Sequence, residues 1–326
     1  MVKNSSCFKL KNKYIWDLWF FKDKEGSWFK YFLESPSTKD PEDRHFHSSI
    51  GLAKSRDLIN WEYEGIILSA NQNKWDDTSI WTGSTFYYNN EYYLFYTSRN
   101  SKKPKEQLIG LITSKSPDFK NYTRISDNEP LLRIDPNLYE TNSYDGMTHF
   151  RDPYVFQEGS DFYMLFCSRR KDGEIKARGT VGIATSKNLI DWKILEPLSI
   201  PKWFDNTECP YIIKKDGIYY LHFCSNSFSD NFKELTKSDP IPGDYFLVSE
   251  NLKGPYTKTA NGPALFKPQI EKIAYNTQIV SQKNDNFIFF WQKSESELCP
   301  IFSHRGPYKI WYNNYEISIE KEEFIK

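Results

Sequence analysis

The sequence predicts an all-β protein, a five-bladed β-propeller with four-stranded antiparallel blades. Three observations lead to this fold class. Short strand patterns rich in aromatic residues recur through the whole chain, and aromatic residues make up 17% of it. No apolar stripe of helical period persists beyond about ten residues. Four-stranded sheets repeated around an axis are the propeller architecture, whereas a β-sandwich predicts no self-similarity at a fixed period.

Two kinds of strand unit alternate along the chain. The first opens on turn residues and continues as an aromatic strand, at 89–99, 159–169, 216–226 and 284–293. The second is a strand, a polar turn and a short strand that opens on Trp or Tyr, at 48–63, 108–125, 180–195 and 245–259. Turn residues followed by alternating apolar residues are typical of hairpins. Together the units give about four strands per period.

The number of blades follows from the segments that precede the aromatic hairpins. Five such segments recur at intervals of 56 to 71 residues, around Asp17, Trp81, Asp152, Glu208 and Tyr275. Because these intervals fill the chain, we predict five blades in one domain over residues 1–326. The chain ends soon after the fifth blade, so no C-terminal β-sandwich is expected.

Three of the five segments carry a carboxyl group, on Asp17, Asp152 and Glu208. The first strand of each propeller blade lines the central channel, so these groups are expected to converge and to raise at least one pKa by mutual repulsion. Alone, each has a structural explanation, since Asp-Pro is a common turn opener. Together they match glycoside cleavage, which needs an acid and a carboxylate, while a third carboxylate can hold sugar hydroxyls.

The motifs in these segments resemble those of glycoside hydrolase families 32 and 68, the β-fructosidases and levansucrases, which share a five-bladed propeller. The matching motifs are WTGS at 81–84, RDP at 151–153 and ECP at 208–210. The segment 16–19, WDLW, resembles the nucleophile segment of family 68, and His47 with residues 48–63 resembles the first blade of both families. Four motifs in order at blade spacing indicate the superfamily.

The resemblance implies a retaining glycosidase that acts on β-D-fructofuranosides such as sucrose, by hydrolysis or by transfer of the fructosyl unit. Asp17 would be the nucleophile, Glu208 the acid/base and Asp152 the stabiliser of the transition state. Arg151 would hold Glu208 or Asp152 in place. Retention predicts about 5–5.5 Å between the carboxyl groups of Asp17 and Glu208. The remaining predicted substrate-binding residues are Trp16, Trp19, His47, Trp81, Ser84, Tyr275 and Asn276.

Two other functions fit part of the sequence. An inverting α-L-arabinofuranosidase or β-xylosidase, similar to glycoside hydrolase family 43, shares the fold and a carboxylate trio. The Arg-Asp-Pro and Glu-Cys-Pro motifs favour the fructosidase pattern over it. A non-catalytic sugar-binding propeller would be expected to lack one of the three carboxylates.

Composition narrows the partners and the compartment. The 43 basic and 43 acidic residues balance, which argues against nucleic acid or an anionic membrane as partner and favours a neutral carbohydrate substrate. No stretch reaches the roughly 20 apolar residues of a membrane span, and the N-terminus lacks the apolar run of a signal peptide. The five cysteines show no CxxC spacing, so we expect reduced thiols, no zinc site, no metal or other cofactor, and a cytoplasmic location. The sequence carries no signal for an oligomeric state.

Overall fold

The computed structural model describes residues 7–266, 273–294, 299–313 and 315–319. These residues form five antiparallel sheets arranged as a five-bladed β-propeller, which confirms the predicted fold class. Within each sheet the strands follow in sequence order from the axis outward. The first blade contains β1 (Lys13–Lys22), β2 (Trp28–Pro36), β3 (Ser49–Ser55) and β4 (Glu62–Leu68).

The other four blades repeat this order. The second blade contains β5 (Ser79–Tyr88), β6 (Glu91–Asn100), β7 (Lys103–Ser114) and β8 (Tyr122–Arg124). The third contains β9 (Arg151–Glu158), β10 (Asp161–Arg169), β11 (Gly179–Ser186) and β12 (Trp192–Leu195). The fourth contains β13 (Glu208–Lys215), β14 (Ile218–Ser225) and β15 (Gly243–Ser249). The fifth contains β16 (Ala274–Gln282), β17 (Asp285–Gln292), β18 (His304–Asn313) and β19 (Glu316–Ile319).

The outer edge of the fourth blade is completed by isolated bridges rather than by a regular strand. Val248 bridges Thr257, and Tyr245 bridges Ala264. Helices are short throughout the described residues: 3-10 turns at Pro41–Phe46 and Ile175–Ala177, and α1 (Phe232–Thr236). No helix in those parts of the chain has the length and apolar character that crossing a bilayer requires.

The hydrophobic core lies between neighbouring blades. Leu165 and Ile183 of the third blade pack with Leu221 and Leu247 of the fourth, and similar clusters join the second blade to the third and the fourth to the fifth. The aromatic residues predicted in the hairpin strands supply much of this packing, as expected for half-buried pleated surfaces. Because each blade is buried by its neighbours, the inner strands are held at fixed positions around the axis.

A disulfide joins the start of the chain to the fifth blade. Cys7 is bonded to Cys299, with 5.9 Å between their Cα atoms, and Phe8 forms an antiparallel bridge with His304. The expectation that all thiols are reduced is therefore wrong for this pair. Its two cysteines lie 292 residues apart, and only the closure of the ring brings them together, so local spacing gave no signal. The other three cysteines, Cys167, Cys209 and Cys224, are free and buried.

We expect Cys7→Ser to lower the free energy of unfolding by about 2–4 kcal/mol, because the disulfide restricts the unfolded chain across almost its whole length. Urea unfolding with and without a thiol reductant measures the effect. The reductant should bring the wild type to the stability of the variant and leave the variant unchanged. An equal effect of reductant on both proteins would assign the loss to another thiol.

Candidate active site

Every inner strand contains one extra residue at the same level along the axis. The pairing register shifts between Trp16 and Leu18, and at the equivalent places of the other four inner strands. Such β-bulges re-aim side chains and are common beside active sites. Four of the bulge residues have a positive φ, which is uncommon outside glycine: Asp17 at 32°, Asp152 at 62°, Cys209 at 50° and Asn276 at 48°.

The bulges correct the sequence alignment of the five segments by one residue. The residues that directly precede each bulge are Trp16, Trp81, Arg151, Glu208 and Tyr275, and the bulge residues are Asp17, Thr82, Asp152, Cys209 and Asn276. Asp17 and Asp152 are therefore equivalent, whereas Glu208 is equivalent to Arg151. Motif spacing could not show this, because intervals that vary by several residues do not determine a one-residue register.

Hydrogen bonds from the bulge residues join neighbouring inner strands. The Thr82 hydroxyl donates to Asp17 Oδ2 at 2.9 Å, and the Cys209 amide donates to Asp152 Oδ2 at 2.9 Å. The Leu18 amide donates to Asn276 Oδ1 at 2.8 Å, which links the fifth blade to the first. The floor of the central channel is thus a ring of polar contacts whose members come from distant parts of the sequence.

A cavity of about 560 Å³ lies above this ring, within the size range of small-molecule sites. All three predicted catalytic carboxyl groups line it, together with Trp16, Trp81, Arg151 and Tyr275 from the predicted substrate-binding set. Aromatic walls beside polar groups suit a sugar, which has apolar faces and hydroxyl edges. Among the described residues, no group of three or more His, Cys, Asp or Glu side chains is placed to hold a metal ion.

Asp17 accepts two hydrogen bonds and sits beside two other acids. Its Oδ1 accepts from Trp291 Nε1 at 3.0 Å, while Thr82 holds its Oδ2. Burial, followed by the charge of Asp152, raises the pKa of Asp17 from 3.8 to about 7, against the lowering effect of the Thr82 hydrogen bond. The carboxyl group is oriented by donors on both oxygens, and its raised pKa places its change of protonation near neutral pH.

Asp152 is more deeply buried, with 5% of its surface exposed. Its backbone amide donates to the Thr97 hydroxyl at 2.8 Å, and Arg151 Nε lies 3.5 Å from its Oδ2. Burial raises the pKa of Asp152 to about 6, although Arg151 and the Cys209 amide oppose the increase. Its contacts with Cys209, Thr97 and Arg151 fix the position of its carboxyl group on the same ring as Asp17.

Glu208 is held by donors on both of its carboxyl oxygens. Arg151 Nη2 donates to Oε1 at 2.9 Å, and the Tyr275 hydroxyl donates to Oε2 at 2.5 Å. Burial and the nearby Glu208 charge raise the pKa of Tyr275 well above 10, so its hydroxyl keeps its proton. Arg151 thus forms a hydrogen-bonded ion pair with Glu208 and lies within ion-pair distance of Asp152.

Four predicted substrate-binding residues lie outside the cavity lining. Trp19 stacks on Tyr31, and its Nε1 donates to Thr85 below the ring of bulges. The Ser84 hydroxyl accepts from the Val155 amide and joins two blades. Asn276 is engaged with the Leu18 amide, and His47 is exposed after the 3-10 turn. The alternation of a strand, together with the unrecognised bulge, turns Trp19 and Asn276 away from the cavity.

Several lining residues come from loops and from outer strands that the motifs did not cover. The lining residues that the sequence did not predict include Gln107, His149, Asn206, Asn226 and Trp291. The predicted His47 does not line the cavity, whereas His45 does. His149 accepts from Arg151 at 2.8 Å and donates to Asp145 at 3.1 Å, the tautomer being set by the guanidinium donor. Burial and then Arg151 lower the pKa of His149 to about 4. The one sequence signal for His149 as a lining residue was its position two residues before Arg151.

We expect Asp17→Asn to stabilise the fold by about 1–3 kcal/mol at pH 8. Because the pKa of Asp17 is raised to about 7 in the fold, its ionised form destabilises the protein above pH 7. This cost is complete above about pH 7, decreases as the pH falls toward 3.8, and disappears below 3.8, where the carboxyl group is protonated in both states. Thermal unfolding of both proteins at pH 8 and pH 4 measures the difference.

Asp57 provides a control of opposite sign. Hydrogen bonds from Asn60 and Ile59 outweigh its slight burial and lower its pKa to about 2. Asp57→Asn should therefore reduce stability at pH 8 and have less effect as the pH approaches 2. A gain in stability for Asp17→Asn that is equal at pH 8 and pH 4 would contradict the raised pKa.

Comparison with protein families identifies residues 12–259 with the N-terminal domain of the glycosyl hydrolases of family 32. The matched residues contain the first four blades and all three carboxyl groups of the cavity. A single family match therefore covers the three segments around Asp17, Asp152 and Glu208.

Two curated relatives align over most of the chain. A levansucrase from Erwinia amylovora is 29% identical over 271 residues, which cover 73% of this chain and 61% of that protein. An extracellular sucrase from Zymomonas mobilis is 28% identical over 301 residues, covering 77% of this chain and 70% of that protein. The chain thus spans about three fifths of the length of the levansucrase and seven tenths of the length of the sucrase.

A solved structure shares the architecture. The inulosucrase from Halalkalicoccus jeotgali, determined with bound kestose, superposes with a TM-score of 0.78 at 20% identity and covers 95% of this chain and 87% of that one. At this identity the likeness shows the fold, and it supports the five-bladed arrangement of the described strands.

Proposed function

Since the chain belongs to glycosyl hydrolase family 32, we propose that it cleaves β-D-fructofuranosides such as sucrose with retention of configuration. The observation that carries the proposal is the meeting of Asp17, Asp152 and Glu208 in one cavity, each with its carboxyl group oriented by donors. The sucrase and levansucrase among the relatives support a sucrose-type substrate.

The first step forms a covalent intermediate. The Asp17 carboxylate attacks the anomeric carbon of the fructosyl unit, and the bond from that carbon to the glycosidic oxygen breaks. The proton on Glu208 moves to the departing oxygen, so the leaving sugar departs as a neutral alcohol. Asp152 accepts hydrogen bonds from fructosyl hydroxyl groups, and these bonds strengthen as positive charge develops on the ring.

The second step releases the fructosyl unit. Glu208, now ionised, removes a proton from water or from a sugar hydroxyl, which attacks the anomeric carbon and displaces Asp17. Arg151 and Tyr275 hold the Glu208 carboxyl group in one orientation through both steps. Water as the attacking group gives hydrolysis, and a sugar hydroxyl gives fructosyl transfer, so the same residues serve both reactions.

The other two functions considered from the sequence have less support. The family match is to family 32 rather than to the inverting furanosidases of family 43. A purely sugar-binding propeller does not require three oriented carboxyl groups in one cavity, because burying them is costly. The cytoplasmic location stays a prediction, and the Cys7–Cys299 disulfide argues against it, since disulfides persist mainly in oxidising compartments.

Sugar release tests the proposal. The wild type is incubated with sucrose, raffinose, inulin and levan, and in parallel with an α-L-arabinofuranoside and a β-xyloside. From at least one fructoside we expect either release of fructose or formation of a fructan by fructosyl transfer. We expect no turnover of the two pentosides. Turnover of a pentoside alone would exclude the fructosidase assignment and leave the fold unchanged.

A further inference from the structure

Two strongly exposed aromatic rings lie at the rim of the cavity. Phe46 is 52% exposed and Tyr144 is 60% exposed. Phe46 directly follows His45, and Tyr144 directly precedes Asp145, and both of these neighbours line the cavity. Isolated exposed apolar residues are common on protein surfaces, so exposure alone assigns no role to either ring. The contacts beneath the rings are more informative.

Phe46 continues the cavity wall outward. The Arg99 guanidinium lies 4.8 Å from the centre of the Phe46 ring and 4.4 Å from that of Trp81, which lines the cavity. Arg99 is 6% exposed, and both Arg99 Nη2 and Trp81 Nε1 donate to the His45 carbonyl, at 2.9 Å and 3.0 Å. This layered arrangement of two rings and a guanidinium holds Phe46 in place with one face outward.

Tyr144 is fixed in a similar way on another part of the rim. Its hydroxyl donates to Asp205 Oδ2 at 2.7 Å, and its ring centre lies 5.3 Å from the guanidinium of Arg169. Arg169 is 1% exposed and is paired with Asp205 and Glu140. Asn206, the next residue after Asp205, lines the cavity. The tyrosine is therefore held by its polar end while most of its ring stays in solvent.

A ring that is both fixed and exposed is ready to bind a flat apolar surface, because little conformational entropy remains to be lost. The faces of sugar rings provide such surfaces. Both rings also lie beside a cavity whose carboxyl groups suit glycoside cleavage. A neutral chain with no net charge fits an uncharged oligosaccharide better than a charged ligand.

We propose that Phe46 and Tyr144 form a rim platform that binds the outer sugar units of a neutral oligosaccharide. The inner units occupy the cavity, and the outer units stack on the two rings. The site therefore favours chains longer than a disaccharide, as fructosyl donors or as acceptors. This inference rests on the proposed function, because it takes the oligosaccharide to be a fructoside.

The test compares sucrose with a longer fructo-oligosaccharide in Phe46→Ala, Tyr144→Ala and the double variant. We expect kcat/KM for sucrose to stay within about threefold of wild type. For the longer substrate it should fall roughly tenfold per ring, mainly through KM, which corresponds to one aromatic contact. Tyr144→Phe keeps the ring and should retain most of the activity on the longer substrate. Tyr122→Ala, on β8 with 38% exposure, is the matched control.

Three results would overturn the platform. Equal losses on sucrose and on the longer substrate would mean that the rings only support the catalytic groups. Unchanged kinetics on both substrates would remove any role of the rings in binding. A changed sedimentation coefficient in the double variant would assign the rings to contact with a second copy of the chain.

If the wild type cleaves no fructoside, the proposed function fails separately. Calorimetry with arabino- and xylo-oligosaccharides then tests the platform, which requires weaker binding to the double variant.

Discussion

Replacing Asp17 by Asn is expected to reduce kcat for sucrose by at least about 10⁴-fold, the scale of loss when a nucleophile is removed. Asn keeps the shape of the side chain and an acceptor for Trp291, but its amide does not attack the anomeric carbon at a useful rate. Steady-state release of glucose and fructose measures the effect.

The matched control for Asp17→Asn is Asp216→Asn. Asp216 is an exposed carboxylate with a positive φ of 50°, in the turn between β13 and β14. Its substitution should leave kcat within about twofold of wild type, as for surface changes away from the site. Because Asp17→Asn is also expected to be more stable than wild type above pH 7, unfolding cannot explain its loss of activity. Substantial residual activity in the pure variant would remove Asp17 from the nucleophile role.

Replacing Glu208 by Gln is expected to reduce kcat for sucrose by about 10²–10⁴-fold, the usual contribution of general acid–base catalysis. The loss should depend on the leaving group. A fructosyl donor with an acidic leaving group, such as fructosyl fluoride, needs no proton from Glu208 in the first step. We therefore expect its first step to be nearly as fast in the variant as in wild type, with the covalent intermediate accumulating.

Tyr275→Phe separates the orientation of Glu208 from its chemistry. The variant loses the 2.5 Å hydrogen bond to Glu208 Oε2 and keeps the carboxyl group, so its activity on sucrose should lie between those of wild type and Glu208→Gln.

Azide, a small nucleophile that needs no general base, should restore turnover of the activated donor by Glu208→Gln. A first step with the activated donor that Glu208→Gln slows as much as it slows sucrose cleavage would contradict the acid/base role.

The sequence was sufficient to predict the five blades and the meeting of the three carboxyl groups at the central channel. Both depend on segments that repeat at blade spacing. The hairpins predicted at 89–99, 159–169, 216–226 and 284–293 are confirmed as the β5–β6, β9–β10, β13–β14 and β16–β17 turns with their second strands. The second strands of these hairpins are mostly buried, because each blade packs between two neighbouring blades.

Features created by a single residue or by distant chain segments could not be predicted. The bulge at Asp17 leaves no compositional mark, so Trp19 was assigned to the cavity although it stacks on Tyr31 below it. Ser84 was likewise predicted to bind substrate, but its hydroxyl accepts from the Val155 amide, and the preceding Gly83 packs so closely on β6 that a Cβ atom would collide with the Phe95 carbonyl oxygen. The Cys7–Cys299 pair depends on closure of the ring, which no local motif encodes.

If Asp17 is the nucleophile, it forms a covalent bond to the fructosyl unit during turnover. The most direct test incubates Glu208→Gln with fructosyl fluoride, quenches the reaction in acid, and locates the adduct by proteolysis and mass spectrometry. We expect a fructosyl ester on the peptide that contains Asp17, and none in the double variant with Asp17→Asn. An adduct on Asp152, or no adduct while the first product has inverted configuration, would contradict it.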